Sequence, residues 1–375
     1  MTRLAALLAG TFLLTGIAAP VLADGAIDPG YGAVLADPTD PMINNAYAAR
    51  AEARGEYRKA LATYERVLVH HPDNAEAISG LMRMRRRLQP STTQVFLELG
   101  GAYQSNPRQF PSPGETDDGN AFAVVRVLDE RSFGTQRWRT MIEGSGEIFG
   151  DLDVLNNFAI SADTGPLFDL TPTIAVRPAL VGGYAWLDGD SFFGEFGASL
   201  GFEGYLQGAL QSIELRATWR DYADRWVSDD GAVIDLRGHF GYGGLLDDAD
   251  AIVVKPRLRW SGVDTRPGVV IPSGFEPGRY FEAGTRVEYY YPFAEWLLAG
   301  PNVGLFQRWF DKPVVVGGAD RRDTYLAPGG SVILRDLVAE NVDFRFDYRY
   351  EIQNSNDPTR DFDNHAVAGR VLARF

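Results

Sequence analysis

Residues 197–201 read Gly-Ala-Ser-Leu-Gly, a match to the Gly-x-Ser-x-Gly elbow that presents a nucleophilic serine. That elbow needs a strand to turn sharply into a helix, whereas Ser199 lies within SFFGEFGASLGFEGY, a run with the period of a strand. His239 shares a strand face with Asp235 and Arg237, so a pairing with Ser199 or Ser212 is the one route to a hydrolase. His70 and His71 close a helix before Pro72, with no acidic or histidine partner at metal-site spacing. There is no cysteine, hence no thiolate ligand and no disulfide. The expectation is a protein that is not an enzyme, with no catalytic residues, no metal and no cofactor.

Charged residues recur at every second position. In SIELRATWRDY, Glu214, Arg216 and Arg220 alternate with Ile213, Leu215 and Trp219. In NVDFRFDYRYEIQN, Asp343, Arg345, Asp347, Arg349 and Glu351 alternate with Val342, Phe344, Phe346, Tyr348 and Tyr350. Asp235 and Arg237 continue the pattern. In a soluble sandwich the charged face looks outward; in a membrane barrel it lines the lumen. These ten charged residues are the lumen-facing candidates. They serve either as cross-strand ion pairs or as the wall of a hydrated conduit for a charged or extended substrate. No ring of a single sign stands out.

Such faces need strands to position them. After Pro90 the period is 2 almost throughout, and about fourteen strand-like segments can be counted, an even number as bacterial barrels require. They centre near residues 98, 124, 141, 159, 177, 197, 216, 237, 256, 286, 303, 330, 347 and 369. Connections after even strands are short (DERSFG, GYLQG, YPFAE), and several after odd strands are long and polar: 105–119, 261–278 and 311–322. Aromatic residues crowd strand ends, at Tyr222 and Trp226, Tyr289–Phe293, Trp309 and Phe310, as interfacial girdles would. The 41 glycines and 12% aromatic content suit the same architecture. The last residues, HAVAGRVLARF, alternate up to Phe375, which suits a closing strand that pairs with the first, near Thr92–Gln104.

Residues 1–23 carry Arg3, a short apolar core and VLA before Asp24, the plan of a secretory signal peptide. No later stretch is apolar for the ~20 residues that a spanning helix requires. The net charge of −14 argues against a nucleic-acid partner. Residues 24–41 read as a flexible leader. Residues 42–89 read as a periplasmic helical segment, with helices near Met42–Arg54, Glu56–His70 and Asn74–Leu88. Ala48, Gly55, Tyr57, Ala60, Tyr64 and Pro72 fall on the tetratricopeptide pattern, small residues where helices touch and a proline after the second helix. They form either a docking module or a helical hairpin. The basic run Arg83, Arg85, Arg86, Arg87 reads as a solvated helix face or a contact to anionic headgroups.

LGGAYQSNPRQ near the first strand, and YRYEIQNSNDPTRDFDNHAVAGRVLARF at the end, resemble the opening and closing strands of the surface lipoprotein assembly modulators. The quoted features are Ser105-Asn106, Ser355-Asn356, Phe362-Asp363-Asn364 and Phe375. Residues 42–89 carry one recognisable repeat where that family has several. The resemblance implies a mainly β protein, a transmembrane antiparallel barrel over 90–375 with a small helical segment, in the cell outer membrane and in contact with its lipids. It also implies a translocation factor that exports or displays a lipoprotein or other polypeptide client. Resemblance to outer-membrane proteins in general implies that Phe375 is read by the barrel-assembly machinery. The alternative is an exopolysaccharide-export barrel with a polysaccharide as its cargo; a third is the hydrolase.

Overall fold

A computed structural model describes residues 30–88, 91–112, 114, 116–133, 136–171, 174–206, 209–247, 249–269, 278–313 and 318–375. The signal peptide, the leader up to Pro29 and the Gln89-Pro90 boundary lie outside them. The chain divides into two compact units, one ending at Leu81 and one beginning at Met82.

The first unit is helical: α1 Tyr31–Ala36, α2 Pro41–Ala53, α3 Tyr57–His70 and the start of α4 Ala75–Leu88. Asp40 caps α2 by accepting from the N–H groups of Met42 and Ile43 at 2.7 and 3.1 Å, ahead of a proline at the first helical position. Gly55 ends that helix region at φ +77°, where a side chain would strain the backbone. Asn74 caps α4 through Ala77 N–H at 2.9 Å. Ala48, Ala60 and Tyr64 are buried, Tyr57 is half-buried and Pro72 is exposed. A side chain at Gly80 would meet the Tyr64 ring at 2.2 Å, so the missing Cβ lets the ring lie against α4. The leader is not wholly irregular: residues 31–36 form α1, which buries Val34 and sets Tyr31 6.0 Å from Tyr47.

The second unit is a closed antiparallel barrel. Its strands are β1 Thr92–Gln104, β2 Asp118–Phe133, β3 Gln136–Phe149, β4 Asn157–Asp169, β5 Ile174–Leu187, β6 Asp190–Leu206 and β7 Ala209–Tyr222. They continue with β8 Gly231–Gly243, β9 Ala251–Gly262, β10 Arg279–Ala294, β11 Leu297–Pro313, β12 Asp320–Leu334, β13 Val342–Ser355 and β14 Phe362–Arg374. Every centre expected from the sequence falls inside its strand. Neighbours pair in chain order, and β14 returns to β1 with Arg374 opposite Phe96. The surface is inside-out. Leu180 (71% exposed), Phe196 (65%) and Val367 (53%) look outward, while Asp163, Asp235, Asp323 and Glu351 are buried on the inner face. That apolar exterior demands lipid, and closure leaves no sheet edge within it. No helix among the described residues is long and apolar enough to cross a membrane.

Two expectations need correction. Connections after odd strands are not uniformly long: β5 and β6 meet through Asp188-Gly189, both at positive φ, the backbone that a two-residue hairpin turn requires. The strands also extend into 311–322, leaving 314–319 between β11 and β12. Nor are all rim aromatics girdle residues. Tyr222 and Trp226 turn inward with Phe192, Val233 and Val263 into a small apolar core, because the β7–β8 connection folds back over the strand ends. Its backbone is tied to the β9–β10 connection by Val227 N–H to Val269 O at 3.0 Å and Arg266 N–H to Val227 O at 2.8 Å. Trp309 and Phe281 remain outside, stacked at 5.7 Å.

The β8–β9 turn, beyond the spanning strands, is built on Asp250. Desolvation pushes its carboxyl pKa up. That is outweighed by the N–H groups of Leu246 (2.6 Å) and Leu245 (2.8 Å), the Tyr289 hydroxyl (2.8 Å) and Asp247 N–H (3.1 Å), which hold it at about 2. A depressed carboxylate adds stability above its unfolded pKa of about 4, and that stability is lost as pH falls toward 2. The heat-modifiable gel shift of the native protein should therefore move to lower temperature between pH 4 and pH 2. Asp250→Asn should flatten that part of the profile, and an unchanged slope in the variant would contradict the assignment.

Candidate functional site

All ten charged candidates lie on inward-facing positions. On β13 the same-strand neighbours pair as their spacing suggests, Arg345 with Asp347 at 2.9 Å and Arg349 with Glu351 at 3.6 Å. Asp343 reaches Arg374 at 3.7 Å. On β7 they do not: Glu214 sits opposite Arg237 in register with no ion pair among the described residues, and Arg216 and Arg220 turn to Glu195 on β6 at 4.0 and 3.1 Å. Asp235, 3% exposed, accepts from Arg237 at 2.7 Å and from Arg257 at 2.9 Å.

The partners on other strands were missed. Glu282 takes Arg308 at 2.7 Å and Arg257 at 3.6 Å; Lys255 meets Glu288 at 2.9 Å; Arg177 meets Asp163 at 2.5 Å. Arg139 on β3 reaches Glu203 on β6 at 2.7 Å, passing over two intervening strands, and also takes Glu130 at 3.1 Å. The alternation Lys255, Arg257, Arg259 in VVKPRLRW was the available signal for the β9 stripe.

The pairing leaves the lumen uneven. On β7–β10 the inner face carries Arg216, Arg220, Arg237, Lys255, Arg257, Arg259 and Arg286 against Glu214, Asp235, Glu282 and Glu288. Across the barrel, β13 to β3 carry arginines and carboxylates in near-equal number, with Arg370 held by Glu98 at 2.6 Å and Asp347 at 3.2 Å. Arg286 makes no ion pair among the described residues and borders two cavities, of about 560 and 310 Å³. The larger also touches Lys255, Arg345 and Arg370 beside Glu98, Glu147, Glu288 and Asp347; the smaller touches Arg257 and Tyr325 beside Glu282 and Asp323.

The hydrolase residues do not assemble. Ser199 lies in mid-strand opposite Arg216, and no hydrogen bond among the described residues joins Ser199 or Ser212 to His239, although register sets Ser212 opposite it. Gly197 has a packing reason instead, since a Cβ there would lie 2.0 Å from Ala217 O. His365 is on the outer face, its Nδ1 2.9 Å from the Tyr348 hydroxyl and its ring stacked on Tyr350 at 4.6 Å. No group of three metal-binding side chains occurs among the described residues.

The motifs at the two ends of the barrel meet at the seam. Asn106 and Asn364 are fully buried. Asn364 Oδ1 accepts from Asn106 N–H at 2.9 Å, and Asn364 Nδ2 donates to Glu351 at 3.0 Å and Gln104 at 3.2 Å. His365 N–H donates to Ser105 Oγ at 2.8 Å. Phe375 exchanges backbone bonds with Val95 at 2.9 and 3.0 Å, and its ring is exposed.

The fold and lumen define a closed, fourteen-strand, inside-out barrel of the outer-membrane type. No family model matches the chain, and no curated protein matches it. Among solved structures it is similar to the outer membrane channel DcaP of Acinetobacter baumannii (8% identity, TM-score 0.44, covering 76% of this chain and 98% of that one). It is also similar to a bacterial polysaccharide outer membrane secretin (11%, 0.43, 75% and 98%) and to the outer membrane protein OpdK of Pseudomonas aeruginosa (10%, 0.37, 76% and 99%). These likenesses bear on the fold alone. They give no support to membership of the surface lipoprotein assembly modulators or to a tetratricopeptide reading of α2–α4.

Proposed function

We propose that this protein is an outer-membrane conduit, without enzymatic activity, for small anionic solutes, which pass along the cationic wall of β7–β10. The observation that carries this is the surplus of cations over carboxylates on that wall, with Arg286 in no ion pair among the described residues and bordering two cavities. Cavities of about 560 and 310 Å³ are the size of small-molecule sites. The Arg139–Glu203 chord narrows the lumen further. Both features favour solutes over a folded lipoprotein client. Export of an extended anionic polysaccharide is the second reading, because repeated carboxylates would follow the stripe Lys255, Arg257, Arg259, about 7 Å apart at every second residue. Translocation of an unfolded polypeptide would have to draw on α2–α4, as a tetratricopeptide-like docking segment in the periplasm.

Reconstitution into planar bilayers under a salt gradient tests the proposal. The native barrel should give a reversal potential of anion-selective sign, and Arg286→Glu should carry it toward cation selectivity. A closed barrel, or a cation preference in the native protein, would overturn it.

A further inference from the structure

A third cavity, of about 300 Å³, opens among the ends of β4–β10 on the side of the β7–β8 and β9–β10 connections. Its inner lining joins aromatic rings to two arginines. Phe193 and Tyr222 stand 5.2 Å apart between ring centres, and Tyr280 completes the wall. Arg220 lies 4.4 Å over the Phe193 ring, and its Nε bonds Glu195 at 3.1 Å, so this cation is already held in place.

Arg259 is different. Register sets it opposite Asp235 on one side and Glu282 on the other, yet among the described residues it forms no ion pair with either. Asp235 is taken by Arg237 and Arg257; Glu282 bonds Arg308 through Oε2, while its Oε1 lies 3.6 Å from Arg257 without a hydrogen bond. Arg259 Nε is buried with no hydrogen-bond partner. A guanidinium beside rings and other cations, with its buried Nε unused, is costly until an anion meets it. A carboxylate matches its planar fork in a bidentate contact. The rest of the lining joins rings to Ala159, Ala185, Val233 and Val263, with Asn157 and Ser261 as its polar members, a mainly apolar wall that suits a flat apolar body.

We propose that this cavity is a binding site for a small carboxylate with a flat apolar face, its carboxylate on Arg259 and its body against the aromatic wall that Tyr222 and Tyr280 help to form. The inference deepens the conduit reading and rests on it for a biological purpose, since the site would select which anions enter.

The test uses the full barrel in nanodiscs, with benzoate as the probe and ligand-observed saturation-transfer NMR as the readout. Acetate, which lacks the face, and benzyl alcohol, which lacks the charge, are the comparison arms. Benzoate should bind well ahead of both. Arg259→Gln should weaken it about tenfold or more, as expected when a charged hydrogen-bonded contact is lost. Arg259→Lys should recover part of the affinity. Native heat-modifiable mobility of each variant establishes that the barrel has folded. Acetate binding as well as benzoate would remove the flat-face requirement, benzyl alcohol doing so would remove the charge, and benzoate binding unchanged in folded Arg259→Gln would overturn the site. The bilayer measurement fails or succeeds separately: anion selectivity without benzoate binding sinks this inference and leaves the conduit standing.

Discussion

Replacing Asp235 with alanine is expected to be among the most damaging single changes in the barrel wall. The carboxylate is buried and holds Arg237 and Arg257, and Arg257 in turn helps to hold Glu282. Removing the carboxylate takes from Arg257 and half-exposed Arg237 their shared acceptor, at a cost of about 1.5–3 kcal/mol, less than for a fully buried pair because water reaches Arg237. The expected result is a large drop in heat-resistant folded barrel from outer-membrane fractions. Asp235→Asn, which keeps an acceptor oxygen, should retain more. Folded yield equal to native for Asp235→Ala would mean that lumenal water already compensates these arginines.

Gly197→Val should prevent β6 and β7 from pairing locally, because any Cβ at that position lies 2.0 Å from Ala217 O and 2.7 Å from Thr218 Cα. Backbone cannot yield as a flexible side chain can. Gly201→Ala is the internal control: its Cβ meets only Arg177 O, at 3.8 Å, and should change stability by no more than about 0.5 kcal/mol. Folded barrel measured by gel mobility should separate the two glycines of the Gly-x-Ser-x-Gly match completely. If both behave alike, close strand approach is not what places glycine at 197.

Strand number, parity and closure were legible in the sequence because a barrel in lipid imposes one rule, apolar out and polar in, on every strand. Glu214, Arg216, Asp343 and Arg345 face inward for that reason alone. Pairing was legible only where partners stand two residues apart on one strand, as with Arg345 and Asp347. The contacts of Arg139 with Glu203, or of Arg370 with Glu98, depend on register and curvature, and spacing carries neither. Arg259 could not be singled out because its isolation results from what Arg237, Arg257 and Arg308 do to its neighbours. Tyr222 and Trp226 were misread as girdle residues since a strand-end aromatic has the same signature whether the following loop folds inward or not. Ser105, Asn106 and Asn364, quoted for a family likeness, prove to bind the first loop to the seam.

The unequal walls of the lumen have an electrical consequence across its width. With surplus positive charge on β7–β10 and near balance on the facing strands, the potential falls from one side of the bore to the other, and the low-dielectric surroundings sustain that gradient. A zwitterion inside would be turned broadside, carboxylate toward β9 and ammonium toward β13, before it moved along the axis. The bore would thus act as a polariser, sorting molecules by the direction of their dipole as well as by their net charge.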